Sequence, residues 1–436
     1  MSYEDALRDL QERVPTRMVP DVDRITALAE LLGDPQATYP SIHITGTNGK
    51  TSTARMVTAL LGALGIQAGT YTSPHLQTIR ERIRVGGQPI SKDDFAHVHH
   101  AIAPLVELVD ARETGRVTYF ELLTAMAYWW FADHPVDVGV FEVGMGGSWD
   151  ATNLIRGDVA VITPIDHDHP ILGQTLPEIA QEKAGIIKSG ATVVVGEQDP
   201  AVFDVIRRAA EQHDARLLLA GTDVAVDDRR RAVGGQSLDL RTPSRRYADV
   251  MLPLHGAHQA DNAALALGAV HALLGDLEAV GDDVVREALT AVEVPGRLEI
   301  VHRQPTVLLD GAHNPAGAAR AAEAVVEAFA FRDVILVVGC LSDKDAHGIL
   351  RPFRGLASHV VVTPPPSDRA TPMADLVAAA EAVWADTSVA VETGGTLVRA
   401  LEKATGVAGP DDAVLVTGSL YLVGAARDVY VPADAD

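Results

Sequence analysis

The sequence predicts an α/β protein: a P-loop ATPase domain with a mostly parallel sheet, followed by a smaller C-terminal Rossmann-like α/β domain. Three observations carry that prediction. Short β-branched runs alternate with helix-length stretches along most of the 436 residues, the pattern of parallel strands covered by helices on both faces. A glycine-rich loop, Thr45-Gly46-Thr47-Asn48-Gly49-Lys50-Thr51-Ser52-Thr53, joins one such strand to a helix. At Val294-Pro295-Gly296-Arg297 a punctuated turn ends one alternation, and a second begins beyond it. A chain of this length exceeds one ordinary core.

In order, strands are expected at 41–45 (Ser-Ile-His-Ile-Thr), 67–71, 136–143, 158–163, 191–195 and 216–219. Between and after them, helices are expected at 51–64, 118–131, 176–187, 201–213, 259–274 and 282–291. Residues 222–250, rich in Arg, Asp and Gly, are expected to form an exposed hairpin or irregular excursion. The first domain should therefore span 1–294 and the second 295–436. In the second, strands are expected at 306–309, 334–338, 359–363, 389–392 and 413–417, with alanine-rich helices such as 315–330 between them. No internal repeat or low-complexity tract is present, and Pro364-Pro365-Pro366 is a stiff loop.

Composition narrows the function classes. Hydrophobic residues make up 47% of the chain and charged residues 22%, enough for sizeable cores. The net charge of −23 argues against a general nucleic-acid or anionic-membrane surface, so neither partner is expected. An anionic substrate would need clustered cations within this acidic body. Cys340, the only cysteine, follows the apolar run 334–339 and is expected in the core. One cysteine allows no internal disulfide, and Met1-Ser2-Tyr3-Glu4-Asp5 lacks signal-peptide regions, which together point to the cytoplasm. No run of about 18 apolar residues offers a membrane span.

The glycine-rich loop implies a nucleoside triphosphate. Its glycines let backbone N–H groups close on phosphate oxygens, Lys50 supplies charge, and Thr51 can place a hydroxyl on Mg²⁺. The outer glycine is Gly46, where a standard Walker A loop would have one at position 44, so the form is tighter.

Four further constellations stand at predicted strand ends. Thr72-Ser73-Pro74-His75-Leu76, followed by Arg80-Glu81-Arg82-Ile83, puts Ser73 at a sheet edge where ligands bind. Phe141-Glu142-Val143-Gly144-Met145-Gly146-Gly147 ends an apolar strand in a carboxylate. Burying that group is costly without a partner, and Mg²⁺ beside a triphosphate is a natural one. The glycines after it are expected to permit close approach by a ligand. Asp166-His167-Asp168-His169 offers metal ligands or general bases, and Lys183 follows in Glu182-Lys183-Ala184-Gly185. Finally, Arg297 precedes Leu309-Asp310-Gly311-Ala312-His313-Asn314-Pro315, then Asp343-Lys344-Asp345 and Thr417-Gly418-Ser419.

In this order the motifs resemble the folylpolyglutamate synthase/dihydrofolate synthase family, relatives of the Mur ligases. The likeness also takes in Phe120-Glu121, Trp149-Asp150-Ala151-Thr152-Asn153 and His258-Gln259 with Asn262, and it covers nearly the whole chain. It implies an ATP-dependent carboxylate–amine ligase. ATP phosphorylates a carboxylate, and the amine of L-glutamate displaces phosphate from the acyl phosphate. Carried over residue by residue, the resemblance implies ATP binding by Gly46, Thr47, Asn48, Gly49, Lys50, Thr51, Ser52, Asn262, Arg297 and Asp310. Two Mg²⁺ ions would be held by Ser73, Glu142, His169 and Lys183, the last as a carbamate. The loop carries Thr51 where the family commonly has glycine, so Thr51 and Ser52 both stay open as the Mg²⁺ hydroxyl. The Asp-His segment is one residue short of the usual pattern, so His167 stays open beside His169. Thr118, Tyr119, Phe120, Glu121, Trp149, Asp150 and Ala151 would meet the pterin acid, and His313 and Ser419 the incoming glutamate. Lys50, Lys183 and His313 would carry the chemistry, in a protein acting as a monomer.

Two other functions compete. A Mur-type ligase of a nucleotide-sugar peptide would be expected to need a further N-terminal domain, and about 40 residues before the loop are too few for one. A regulatory P-loop ATPase would leave Asp310 and His313 without a task.

Overall fold

The apolar run at 42–44 forms a strand, and the first sheet is arranged around it. The computed structural model describes residues 2–15, 19–112, 115–167, 169–275 and 281–433. Its first sheet contains β1 (Ser41–Thr45), β2 (Ala68–Tyr71), β3 (Ile83–Val85), β4 (Gln88–Pro89), β5 (Val138–Glu142), β6 (Val159–Ile162), β7 (Thr192–Val195) and β8 (Arg216–Leu219). Their order is β4-β3-β2-β5-β1-β6-β7-β8. From β2 to β8 every pairing is parallel, while β3 and β4 add an antiparallel edge. Strand β1 lies between β5 and β6, so the winding reverses there. In open α/β sheets, ligands bind at the carboxyl ends of strands beside such a reversal.

All five residues of β1 are buried, as a strand covered on both faces requires. Ile42 and Ile44 pack with the helices Lys50–Ala63, Ala257–Leu274 and Asp282–Thr290. Across the sheet, Tyr71 and Phe141 pack under the helix Tyr119–Asp133, and Ala160, Ile162, Val193 and Val195 under Leu176–Ala184 and Pro200–Gln212. The helices Tyr3–Glu12, Asp23–Leu31 and Lys92–Asp110, which the sequence reading did not place, extend the Tyr119–Asp133 layer.

Residues 222–250 contain the expected hairpin pairing but correct the expectation that it is exposed or irregular. They form an ordered three-stranded antiparallel sheet of β9 (Ala225–Ala232), β10 (Gly235–Arg241) and β11 (Arg246–Leu252), in the order β11-β10-β9. Leu238, Leu240, Tyr247, Val250 and Leu252 join the core beneath the P-loop helix. The charged residues that suggested an exposed excursion occupy the other face, where Arg230 pairs with Asp239 and Asp249. Alternation dilutes the apolar signal by half, which is why composition alone misleads here.

The second unit is a six-stranded sheet of β12 (Glu299–His302), β13 (Thr306–Leu309), β14 (Val334–Val338), β15 (Ala357–Val362), β16 (Ala390–Thr393) and β17 (Ala413–Thr417), in the order β12-β13-β17-β14-β15-β16. Only β12 is antiparallel to its neighbour. Helices Pro315–Ala328 and Met373–Trp384 cover one face, and Leu397–Val407 and Leu420–Tyr430 the other. Cys340 sits in this core, where burial pushes its thiol up to about 12. Among the described residues, no helix is long and apolar enough to cross a membrane.

Candidate active site

The carboxyl ends of both parallel sheets face one cleft of about 600 Å³. Its walls carry Gly46 to Ser52, Ser73, Glu142, Lys183, Asn262, Arg297, Asp310, His313 and Ser419. Positions up to 373 residues apart along the sequence, from Gly46 to Ser419, thus meet in one space.

The phosphate loop owes its shape to two close approaches. Gly46 has φ +139°, and a Cβ there would fall 1.9 Å from Thr163 Oγ1. Gly49 has φ +92°, and its Cβ would fall 2.5 Å from Asn262 Oδ1. Both positions demand glycine on conformation and on space. The loop after β6 clasps the turn: Thr163 Oγ1 donates to the Asn48 carbonyl at 2.7 Å, and Thr47 N–H donates to the Pro164 carbonyl at 3.1 Å. Lys50 Nζ donates to the carbonyls of Gly46 and Thr47 at 3.0 and 3.2 Å.

Glu142 ends β5 beside this loop and is 1% exposed. Thr51 Oγ1 lies 2.9 and 3.0 Å from its two carboxylate oxygens, and Ser73 N–H donates to Oε2 at 3.2 Å. Burial raises the Glu142 pKa, against the opposing pull of Lys50 and these hydrogen bonds. An acid in that condition gains from a cation brought against it. Of the two candidate hydroxyls, Thr51 is the one on Glu142, whereas Ser52 is 2% exposed.

Gly144 and Gly146, which follow Glu142, line the cleft, and the glycines of this loop also serve protein packing. A Cβ on Gly144 would fall 2.4 Å from Phe120 Cζ, and one on Gly147 would fall 2.8 Å from the carbonyls of both Glu182 and Lys183. This loop therefore holds the end of the helix Leu176–Ala184 against the phosphate loop. Lys183 is 1% exposed and donates from Nζ to the Gly46 carbonyl at 2.8 Å. It is a buried lysine aimed at the nucleotide loop, not a solvated surface residue.

His169 and His167 both line the cleft, and Asp168 lies outside the described residues. His169 Nε2 is 3.1 Å from Lys344 Nζ, reaching across from the C-terminal unit. A metal on that nitrogen would require Lys344 to give way.

From the C-terminal unit, Asp310 caps the end of β13 and accepts N–H groups of Leu298 and Ala312 at 3.0 and 2.9 Å. It thereby ties the linker to the sheet and sets the place of Arg297. Burial raises its pKa, with Arg297 opposing. His313 Nδ1 is 2.9 Å from the Gly311 carbonyl, so that nitrogen donates. Burial lowers the His313 pKa to about 4, leaving Nε2 a free base at neutral pH. Ser419 is 1% exposed and caps the helix Leu420–Tyr430, accepting from Tyr421 N–H at 3.2 Å.

The residues expected on the pterin acid lie behind the cleft wall. Thr118 and Glu121 form a capping box, and Glu121 carries a two-point ion pair with Arg24 at 2.9 and 3.1 Å. Asp150 accepts from Met145 N–H, Thr152 N–H and the Thr152 hydroxyl. Ala151 offers its carbonyl to Tyr128. Trp149 N–H lies on Glu182 at 3.4 Å. Tyr119, Phe120 and Asp150 bear on groups at or next to the cleft, through Arg82, Gly144 and Met145.

Sequence reasoning assigned no role to Asn314, although it stands in a quoted motif. Its side-chain amide pairs reciprocally with that of Asn48, at 3.0 and 3.3 Å, joining the two units at the phosphate loop. Single-chain patterns give no signal for such a pairing across 266 residues.

Comparison with known proteins matches this organisation. Residues 44–270 match the Mur ligase middle domain, and residues 296–420 the Mur ligase glutamate ligase domain. The chain is 44% identical over 452 residues to the dihydrofolate synthase/folylpolyglutamate synthase of Mycobacterium tuberculosis, covering 97% of this chain and 92% of that protein. To the Bacillus subtilis protein of the same name it is 35% identical over 425 residues, covering 97% of each. The fold superposes on the M. tuberculosis folylpolyglutamate synthase complexed with ADP at a TM-score of 0.94 and 43% identity, over 100% of this chain and 99% of that one. The chain belongs to the dihydrofolate synthase/folylpolyglutamate synthase family of the Mur ligases.

Proposed function

We propose that this chain is an ATP-dependent ligase that joins the amine of L-glutamate to the carboxylate of a dihydropteroate, a folate or both, through an acyl phosphate. The observation that carries this is the single cleft in which a phosphate loop with Lys50 and Glu142 on one side meets Arg297, Asp310 and His313 on the other. A hydrolysing ATPase has no use for the second wall, whereas a ligase must bring a nucleotide, an acid and an amine together.

Phosphoryl transfer to a carboxylate crowds anionic oxygens, so catalysis is positioning plus charge compensation. The backbone of Gly46 to Lys50 and the Lys50 ammonium cradle the phosphates. Arg297, placed by Asp310, approaches the nucleotide from the C-terminal side. The glutamate amine must be neutral to attack, and His313 Nε2 is an unprotonated base facing the cleft to take its proton. The reciprocal Asn48–Asn314 pair closes the two walls, excluding water that would hydrolyse an acyl phosphate.

The residues fit Mg²⁺. No group of three His, Cys, Asp or Glu side chains that could hold a metal occurs among the described residues. One buried carboxylate with a hydroxyl suits an ion that leaves most of its shell to phosphate and water. Glu142 and Thr51 would hold the first ion, with Ser73 beside them. A second would lie between His169 or His167 and a carbamylated Lys183. When bound, the metal neutralises phosphate charge. We place the domain boundary between 294 and 295, the protein in the cytoplasm, and its working form as a monomer.

The test is ADP release by the purified protein with ATP and Mg²⁺. Release that requires both glutamate and a pterin acid supports the ligase. Release indifferent to both supports a regulatory ATPase and overturns the proposal.

A further inference from the structure

The motif Arg80-Glu81-Arg82-Ile83 has no part in the chemistry above, yet it contains an unusual charge. Arg82 is 7% exposed, and among the described residues no carboxylate pairs with it. Its Nε donates to His75 Nδ1 at 2.9 Å, a partner that carries no negative charge. The guanidinium carbon stands 5.4 Å from the centre of the Tyr119 ring, which orients the group without neutralising it. The adjacent acid is committed elsewhere: Glu81 accepts the N–H groups of Leu76, Gln77 and Thr78, each at 2.9 Å. A buried cation lacking a counter-charge is costly unless an anion arrives to meet it.

The position of Arg82 says which anion. Its carbonyl accepts the Thr72 N–H at 3.0 Å, and Thr72 and Ser73 line the cleft, where Ser73 N–H meets Glu142. Tyr119, beneath the guanidinium, precedes Phe120, which packs on the cleft-lining Gly144. Arg82 therefore lies one backbone hydrogen bond from cleft-lining Thr72, directly behind the wall formed by the first domain. It is set off from the phosphates that Lys50 serves.

We propose that Arg82 binds a spectator carboxylate of the acid substrate, one that does not itself react. This rests on the ligase reading. The two acids of that reading differ in this group: a pteroate-type acid has only the carboxylate that is activated, whereas a folate ending in glutamate also carries an α-carboxylate. A planar, always-charged guanidinium suits such a group by two-point hydrogen bonding. Arg82 is then a specificity residue that favours tail extension over the first glutamate addition.

The test compares three acids under saturating ATP, Mg²⁺ and glutamate: dihydropteroate, tetrahydrofolate, and a tetrahydrofolate analogue whose terminal glutamate is replaced by 4-aminobutyrate, which lacks the α-carboxylate. With wild-type protein, the analogue should show a KM about tenfold or more above that of tetrahydrofolate, at similar kcat. Arg82→Gln should raise the tetrahydrofolate KM by the same factor, leave dihydropteroate within about twofold, and abolish discrimination against the analogue. Arg82→Lys should restore part of the preference. Equal loss for dihydropteroate and tetrahydrofolate, or undiminished discrimination in Arg82→Gln, would overturn the proposal. Wild-type protein that does not distinguish the analogue would also overturn it, a result independent of how any variant folds. Wild-type turnover of dihydropteroate alone would overturn the Arg82 assignment and leave the ligase intact, whereas turnover of no acid would overturn the ligase reading itself.

Discussion

At the scale of single residues, the account stands on two lysines that share one carbonyl. Lys50 and Lys183 both donate to the Gly46 carbonyl, at 3.0 and 2.8 Å, one from the P-loop helix and one from a helix that begins 126 residues later. Lys50→Ala should leave the fold intact and cut ADP formation by about 10²-fold or more, because the lost charge matters most as the phosphoryl group moves. Circular dichroism with a coupled ADP assay checks this, and near-normal turnover in a folded variant would remove the loop from the chemistry. Lys183→Ala should lose activity comparably, and short-chain carboxylic acids should restore part of it by standing in for the carbamate. Extra density beyond Nζ in a high-resolution crystal structure is the independent check. The sequence showed Lys183 only as a helical lysine, since nothing local distinguishes a buried one from a solvated one. Its 1% exposure is a property of the Gly147 contact that packs its helix end.

At the scale of elements, strands beside the site were legible because burial on both faces leaves nearly continuous apolar runs. Strands β7, β14 and β17 show this directly. Legibility failed where one face is polar. Strand β9 presents Asp227 to Arg231 in sequence, and only its first residue, Ala225, is buried. The helix Lys92–Asp110 was missed for a different reason: its buried Phe95, Val98, Ile102, Val106 and Val109 keep helical spacing among histidines and acids that mask it. The phosphate loop supplies the prediction at this scale. Gly49→Ala must hold a Cβ at φ +92° and displace Asn262. It should cost about 1–2 kcal/mol in backbone strain and weaken nucleotide binding. Calorimetric titration with an ATP analogue measures the second effect, and unchanged affinity would show that the close approach is dispensable.

At the scale of the whole molecule, the two-domain α/β plan followed from the repeated strand–helix alternation on either side of Pro295-Gly296, but the facing of the two sheets did not. That depends on pairings such as Asn48 with Asn314 and His169 with Lys344, which no local pattern encodes. The core also predicts a pH response. His43, fully buried on β1, has its pKa lowered to about 3 by burial and, secondarily, by Lys188. The unfolded chain takes up that proton near pH 6.5 and the native fold refuses it. His43 therefore contributes stability that is complete above about 6.5 and is lost as pH falls towards 3, by an amount on the order of a few kcal/mol. Thermal unfolding from pH 7 to 5 should show the midpoint falling, and His43→Gln should flatten the slope. A slope unchanged by the substitution would assign the acid sensitivity to other groups.

The central claim is that one cleft joins glutamate to a pterin acid at the expense of ATP, and the mass of the product tests it most directly. Dihydropteroate and tetrahydrofolate are offered separately, each with ATP, Mg²⁺ and glutamate, and the products are weighed by mass spectrometry. The account predicts a new species heavier than at least one acid by a single glutamate less water, formed in step with ADP. ADP accumulating while both acids keep their original masses would contradict it.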